Sequence, residues 1–189
     1  MKLYLATTNK HKADEIQEIL KPYEIIIAIT DCEKVEPKEW NLEKTAAENA
    51  ERIANTIGKP VLVDDTGVFF DAYNDFPGIN PKWVFDRLGY KGLLKLVEGE
   101  TRTAHFKTAA AVCFPGEKPQ VFVGELKGTI TEKPFDLDKD VLPYERIFIP
   151  HRYSVVFSQL SREDKNKISH RGIAFRKVGE YVKKRSIQQ

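Results

Sequence analysis

Val61-Leu62-Val63-Asp64-Asp65-Thr66-Gly67 is the stretch that decides the fold: three apolar residues running straight into two adjacent carboxylates. A short apolar run bounded by turn-forming residues reads as a buried strand. In open α/β sheets, ligands gather at the carboxyl ends of strands. Two neighbouring carboxylates there cannot both be neutralised by core packing, and burying them unpaired is costly. Magnesium, which prefers carboxylate, water and phosphate oxygens, is their natural partner. The competing reading is a turn aspartate followed by a helix-capping one. A phosphatase-type Asp-x-Asp nucleophile pair is disfavoured, because the position two beyond Asp64 is Thr66.

Working outward, residues 2–6 alternate as a buried strand that breaks at Thr7-Thr8-Asn9, a turn suited to capping a helix. Ala13, Ile16, Leu20 and Tyr23 recur at helical spacing over residues 10–23. Residues 24–29 read as a strand, residues 30–41 as a polar connection, and residues 42–57 as a second helix ended by Gly58 and Pro60. Beyond the acidic pair come a Phe76-Pro77-Gly78 loop and helix within residues 82–98. Residues 102–114, 120–125 and 127–132 look like three strands of a meander. An acidic loop over 134–143, strands at 147–149 and 153–157, and a helical C-terminus complete the chain. Ser161 with Asp164 three residues on has the form of a capping box. This order implies an α/β fold, a mixed sheet in two lobes flanking a central cleft, with residues 1–189 as one domain.

The 189 residues suffice for a sizeable core, and 30 basic against 28 acidic residues leave a net charge of only +2. That balance excludes bulk nucleic-acid or membrane-surface binding, which needs a basic excess on one face. Cys32 and Cys113 lack the spacing of a zinc or redox pair and read as reduced cysteines in or near the core. No basic leader and no membrane-length apolar run is apparent, so the expected compartment is the cytoplasm.

Two further clusters carry chemistry. Thr7-Thr8-Asn9-Lys10-His11-Lys12 combines helix-start N–H groups, hydroxyls and lysines, a setting for phosphate oxygens, although it lacks P-loop glycines. Its alternative is a capped helix with solvated lysines. Lys165-Asn166-Lys167-Ile168-Ser169-His170-Arg171-Gly172 offers charge and directional donors for a phosphate chain or a purine edge; an ordinary charged connection is the alternative. Glu36, in the polar connection, is a candidate to complete a carboxylate set.

In this order the motifs resemble the noncanonical purine nucleoside triphosphate pyrophosphatases, the inosine/xanthosine triphosphatases. The family's Thr-x-Asn-x-x-Lys opening is here Thr7, Asn9 and Lys12. Its acidic strand end is Val63-Asp64-Asp65-Thr66-Gly67, its Phe-Pro-Gly loop is 76–78, and its Ser-His-Arg signature is Ser169-His170-Arg171. The resemblance implies a homodimeric, Mg2+-dependent enzyme that releases pyrophosphate from ITP, dITP or XTP. It makes Asp65 the metal-binding or water-activating carboxylate, with Glu36 as partner (after a one-residue length difference) and Asp64 in support. Thr8, Asn9, Lys12, Lys165 and Arg171 would hold phosphates. Thr66, Tyr144, Glu145, Ser169 and His170 would meet the base.

One stretch departs from that pattern. Where the family has Phe-Gly-Tyr/Trp-Asp-Pro, this chain has Leu142-Pro143-Tyr144-Glu145-Arg146, and a lysine that many members carry in the second helix is Asn49. The phosphate half of the site is therefore better preserved than the base half. Two alternatives follow: the same chemistry on a different base, or a nucleotide-binding protein with weakened catalysis.

Overall fold

Side chains that accept backbone N–H groups set the helix starts. Asn9 Oδ1 accepts from the Lys12 N–H at 3.2 Å, and Asn41 Oδ1 from the Lys44 N–H at 2.9 Å. Ser161 Oγ accepts from the Asp164 N–H at 3.1 Å, the N-cap half of the expected capping box, and the Asp164 carboxylate accepts from the Ser161 hydroxyl at 2.6 Å. In the computed structural model, which describes residues 1–35, 41–74 and 76–187, these caps open α1 (Lys10–Leu20), α2 (Leu42–Ile57) and α4 (Arg162–Ile168). Gly58, in the left-handed region at φ 64°, ends α2 as expected. The remaining elements are β1 (Lys2–Ala6), β2 (Ile26–Thr30), β3 (Val61–Phe70), β4 (Pro77–Gly78), α3 (Pro81–Leu96, broken at Gly89), β5 (Thr103–Cys113), β6 (Gln120–Ile130), β7 (Phe148–Pro150) and α5 (His170–Ile187).

The strands form one mixed sheet in the order β2-β1-β3-β5-β6-β7, with β4 on β3. β1 is parallel to β2 and β3, and the β3–β5, β5–β6 and β6–β7 pairs are antiparallel. Four expectations change. Pro77 and Gly78 of the expected 76–78 loop pair with β3 as β4. β3 does not stop at Val63; it continues through Asp64, Asp65, Thr66 and Gly67 and pairs with β5 along its whole length. Residues 120–125 and 127–132 are not two strands, because β6 is continuous as far as Ile130. Residues 153–157 form no strand; Phe157–Gln159 is a 3-10 turn instead.

The acidic pair nevertheless lies at a strand end, that of β1. β1 meets β3 only at Tyr4↔Val61 and Leu5↔Leu62, and β4 joins β3 at Val68 and Phe69. Between these contacts one edge of β3 has no strand partner among the described residues.

Alternation along β3 distributes its side chains. Leu62 joins β1, α1 and α5 in one core, while Val61 and Val63 join α2 in a second on the opposite face. Val68 and Phe70 enter a third core, shared with α3, β5, β6 and β7 at the far end of the sheet. On the α5 face, Thr66, Thr108 and Gly124 form one cross-strand row. A Cβ at Gly124 would lie 2.0 Å from the His170 carbonyl oxygen and 2.7 Å from the Ala174 nitrogen, so this glycine is what lets α5 start directly on the sheet. Gly124→Ala is expected to lower stability by about 1–3 kcal/mol through overpacking, read by urea unfolding. An unchanged unfolding midpoint would contradict the close approach.

Candidate active site

Adjacent residues of a strand point to opposite faces, and Asp64 and Asp65 accordingly have different neighbours. The Asp64 side chain is 0% exposed. Its Oδ2 accepts from Lys12 Nζ at 2.5 Å, its Oδ1 from Arg171 Nε at 3.3 Å, and Thr66 Oγ1 donates to Oδ2 at 3.3 Å. Arg171, itself buried, also pairs with Glu15 one turn beyond Lys12. Burial alone would raise the Asp64 pKa, but the Lys12 ammonium and the Arg171 guanidinium outweigh it and hold the carboxyl well below its ordinary value. Burial pulls Lys12 down from the usual lysine range, against the pull of Asp64.

Asp65 points the other way. Lys34 Nζ pairs with its Oδ1 and donates to the Asp64 carbonyl at 3.1 Å, on the strand's open edge. Asp65 Oδ2 is buried with no hydrogen-bond partner among the described residues, an arrangement that is costly for a carboxylate oxygen.

Asp65 borders a cavity of about 930 Å³ that extends from α2 past the end of β1 to the 142–146 turn. Thr8, Asn9, Lys12, Lys34 and Arg171 bring polar and cationic groups to one part of its wall. Thr66, Tyr144, Glu145 and His170 line it farther on. The His170 ring stacks on Phe106 with centroids 4.9 Å apart. Burial pushes its pKa well below 6.5, so the imidazole is neutral at pH 7, and Nδ1 has no partner among the described residues. Beside it Lys165 Nζ donates to Glu145 at 2.6 Å in a buried pair. Burial raises the Glu145 pKa in spite of that lysine.

Among the described residues, no group of three or more His, Cys, Asp or Glu side chains converges as a ready-made metal cage. The free Asp65 oxygen does suit a cation held by one or two carboxylates together with substrate phosphates and water, the usual setting for magnesium.

Residues 3–181 match the Ham1 family. The chain belongs to the Ham1 family. A dITP/XTP pyrophosphatase of Pyrobaculum aerophilum is 39% identical over 188 residues, covering 99% of both chains. One of Methanopyrus kandleri is 40% identical over 184 residues, covering 97% of both. A HAM1 protein from Coxiella burnetii superposes with a TM-score of 0.83 at 24% identity, covering 97% of this chain and 99% of that one. That likeness carries the Ham1 fold and confirms the expected α/β class.

Within this Ham1 fold, the expected site residues fall into three groups. Asp65, Thr8, Asn9, Lys12, Thr66, Tyr144, Glu145, His170 and Arg171 line the cavity. Asp64, Lys165 and Ser169 do not. Asp64 is enclosed by its two cations, so it cannot share an ion with Asp65 across the strand. Lys165 lies behind the wall on Glu145. Ser169 Oγ accepts from the Gly172 N–H at 2.8 Å and so caps α5. Glu36 lies outside the described residues. Asn9 caps α1, and the Tyr144 hydroxyl donates to the Pro81 carbonyl at 2.9 Å, so both line the cavity with their polar groups already engaged.

Sequence reasoning missed Lys34, Glu15 and Thr108. Glu15 was within reach, since three residues after Lys12 puts it on the same helix face. Lys34 sits in a stretch without periodicity, and only the fold brings it to Asp65.

The two aspartates should separate experimentally. Asp64→Asn leaves Lys12 and Arg171 around a neutral partner and is expected to remove about 3–5 kcal/mol of stability, while Asp65→Asn leaves it within about 1 kcal/mol. Urea unfolding of both variants checks this, and equal losses would mean that the strand does not divide their roles.

Proposed function

We propose that the chain hydrolyses noncanonical purine nucleoside triphosphates, such as ITP, dITP or XTP, to the monophosphate and pyrophosphate. The observation that carries this reading is the buried, unpartnered Asp65 oxygen beside a cavity wall that presents Lys12, Lys34 and Arg171. The family and the names of its close relatives point to the same chemistry.

Each residue has a task suited to its surroundings. The α1 N-terminus and the Thr8 hydroxyl receive phosphate oxygens, where the helix dipole and donors favour negative charge. Lys12 and Arg171 keep positive charge at the wall, oriented by Asp64 and Glu15, so little reorganisation is needed as charge builds on the leaving pyrophosphate. Asp65 Oδ2, unpartnered among the described residues, would hold a divalent cation or receive a proton from the attacking water. Magnesium held there would neutralise charge on the triphosphate and polarise the phosphorus under attack.

At the base end, the neutral His170 ring lines the cavity, and its buried Nδ1, without a partner among the described residues, would be the group to meet a purine edge. Tyr144 is only 5% exposed, packs against Phe85, and has its hydroxyl on Pro81. It therefore shapes the pocket more than it stacks on a base. Glu145 is similarly tied to Lys165. These engagements favour a second reading in which the chemistry is retained and the preferred base has shifted. The resemblance extends the proposal to a homodimer working in the cytoplasm; light scattering reads the former and fractionation the latter. No helix among the described residues is long and apolar enough to cross a membrane.

A panel of ITP, dITP, XTP and the common triphosphates, assayed for pyrophosphate with magnesium and with chelator, tests the reading. Expected are pyrophosphate release from oxopurine substrates, loss of turnover on chelation, and a fall of at least about 10³-fold in kcat/KM, roughly 4 kcal/mol, for Asp65→Asn. Release of orthophosphate in place of pyrophosphate, or near-normal rates in Asp65→Asn, would overturn it.

A further inference from the structure

We propose that Lys34 is a polyphosphate-binding residue of this site. It would exchange its contact with Asp65 for phosphate oxygens when a divalent cation takes that carboxylate. The proposal rests on reading the cavity as a triphosphate site and adds a residue to it.

Lys34 belongs to no helix or strand, yet its surroundings hold it firmly. Asn49, on α2 and only 3% exposed, brackets the next residue: its Oδ1 accepts from the Val35 N–H at 2.7 Å, and its Nδ2 donates to the Val35 carbonyl at 3.0 Å. Nδ2 also donates to the Thr45 carbonyl at 3.1 Å. Arg52, one turn along α2, donates to the Glu33 carbonyl and, at 3.3 Å, to Asn49 Oδ1. The backbone is thus fixed on both sides of Lys34. Its side chain runs along the cavity wall to the open edge of β3, with about a third of its surface exposed.

Charge then dictates what Lys34 does. A dication on Asp65 Oδ2 would share one carboxylate with the Lys34 ammonium on Oδ1, and two cations on a single carboxylate repel each other. When a dication takes Asp65, Lys34 keeps the Asp64 carbonyl as one acceptor and has two N–H donors left. The strongest new acceptors within a flexible lysine's reach are the oxygens of the phosphate chain that binds the same cation. Asn49 acts through Lys34 and is a positioning residue.

Calorimetric titration of the purified chain with tripolyphosphate, which has neither base nor ribose, tests the assignment at saturating magnesium. Lys34→Met is expected to weaken tripolyphosphate binding about tenfold or more, and Lys34→Arg to stay within about threefold of the unaltered chain. Mn2+ alone should bind more tightly to Lys34→Met, because its competitor for Asp65 is gone. Asn49→Ala should weaken tripolyphosphate binding in the same direction, and adding it to Lys34→Met should cost no more. Unchanged tripolyphosphate affinity in Lys34→Met overturns the proposal. Unchanged Mn2+ affinity removes the exchange, and fully additive losses remove the role of Asn49. The titration reads binding without turnover, so a chain that hydrolyses no triphosphate sinks the proposed activity and leaves this result separately readable.

Discussion

A single buried carboxylate organises this molecule. Asp64 lies inside the protein on β3 and has its charge balanced by Lys12 from the first turn of α1 and Arg171 from the first turn of α5, which both reach it. An unpaired ionised carboxylate in that position would be prohibitively costly, so the three elements are bound to one geometry. Arg171 is fixed in turn by Glu15, and α5 can approach only because Gly124 leaves room for its first turn. The cations that a phosphate chain would meet are thus oriented by a group that the ligand need not touch.

The neighbouring carboxylate has the opposite character because a strand alternates. Asp65 faces away from Asp64, toward α2 and the cavity, where β1 has ended and β4 has not yet joined. An early strand end and one residue of alternation turn a local sequence of two acids into one enclosed by its two cations and one that borders the cavity. Lys34 bridges them from the open edge, touching the side chain of one and the backbone of the other.

Much of this is legible in the residues. The caps at Asn9 and Ser161, the stop at Gly58 and the order of helices and strands all follow from local chemistry, and the three motif clusters do line or support one cavity. Other features depend on pairing partners and are invisible locally. The apolar run over 61–63 suggests a strand that ends, because Asp-Asp-Thr-Gly has poor strand propensity; ten residues of pairing with β5 override that preference. Residues 120–125 and 127–132 read as two strands split at Leu126, yet β6 pairs with β5 without a break there. Ser169 and Lys165 carry the right chemistry for a ligand, but their groups are taken up by the α5 cap and by Glu145. Lys34 shows no pattern at all; it matters only because Asn49 holds its neighbour. Residues fixed by long-range partners are the ones that sequence reading assigns least well.

The central claim is that Asp64 belongs to the scaffold and Asp65 to the ligand. A crystal structure with Mn2+ and a non-hydrolysable dITP analogue tests it most directly, because manganese is located by its anomalous signal. The account requires the manganese beside Asp65 Oδ2 and the phosphate chain, with Arg171 still on Asp64. Manganese shared by both aspartates, or bound to Asp64 with Arg171 displaced, would contradict it.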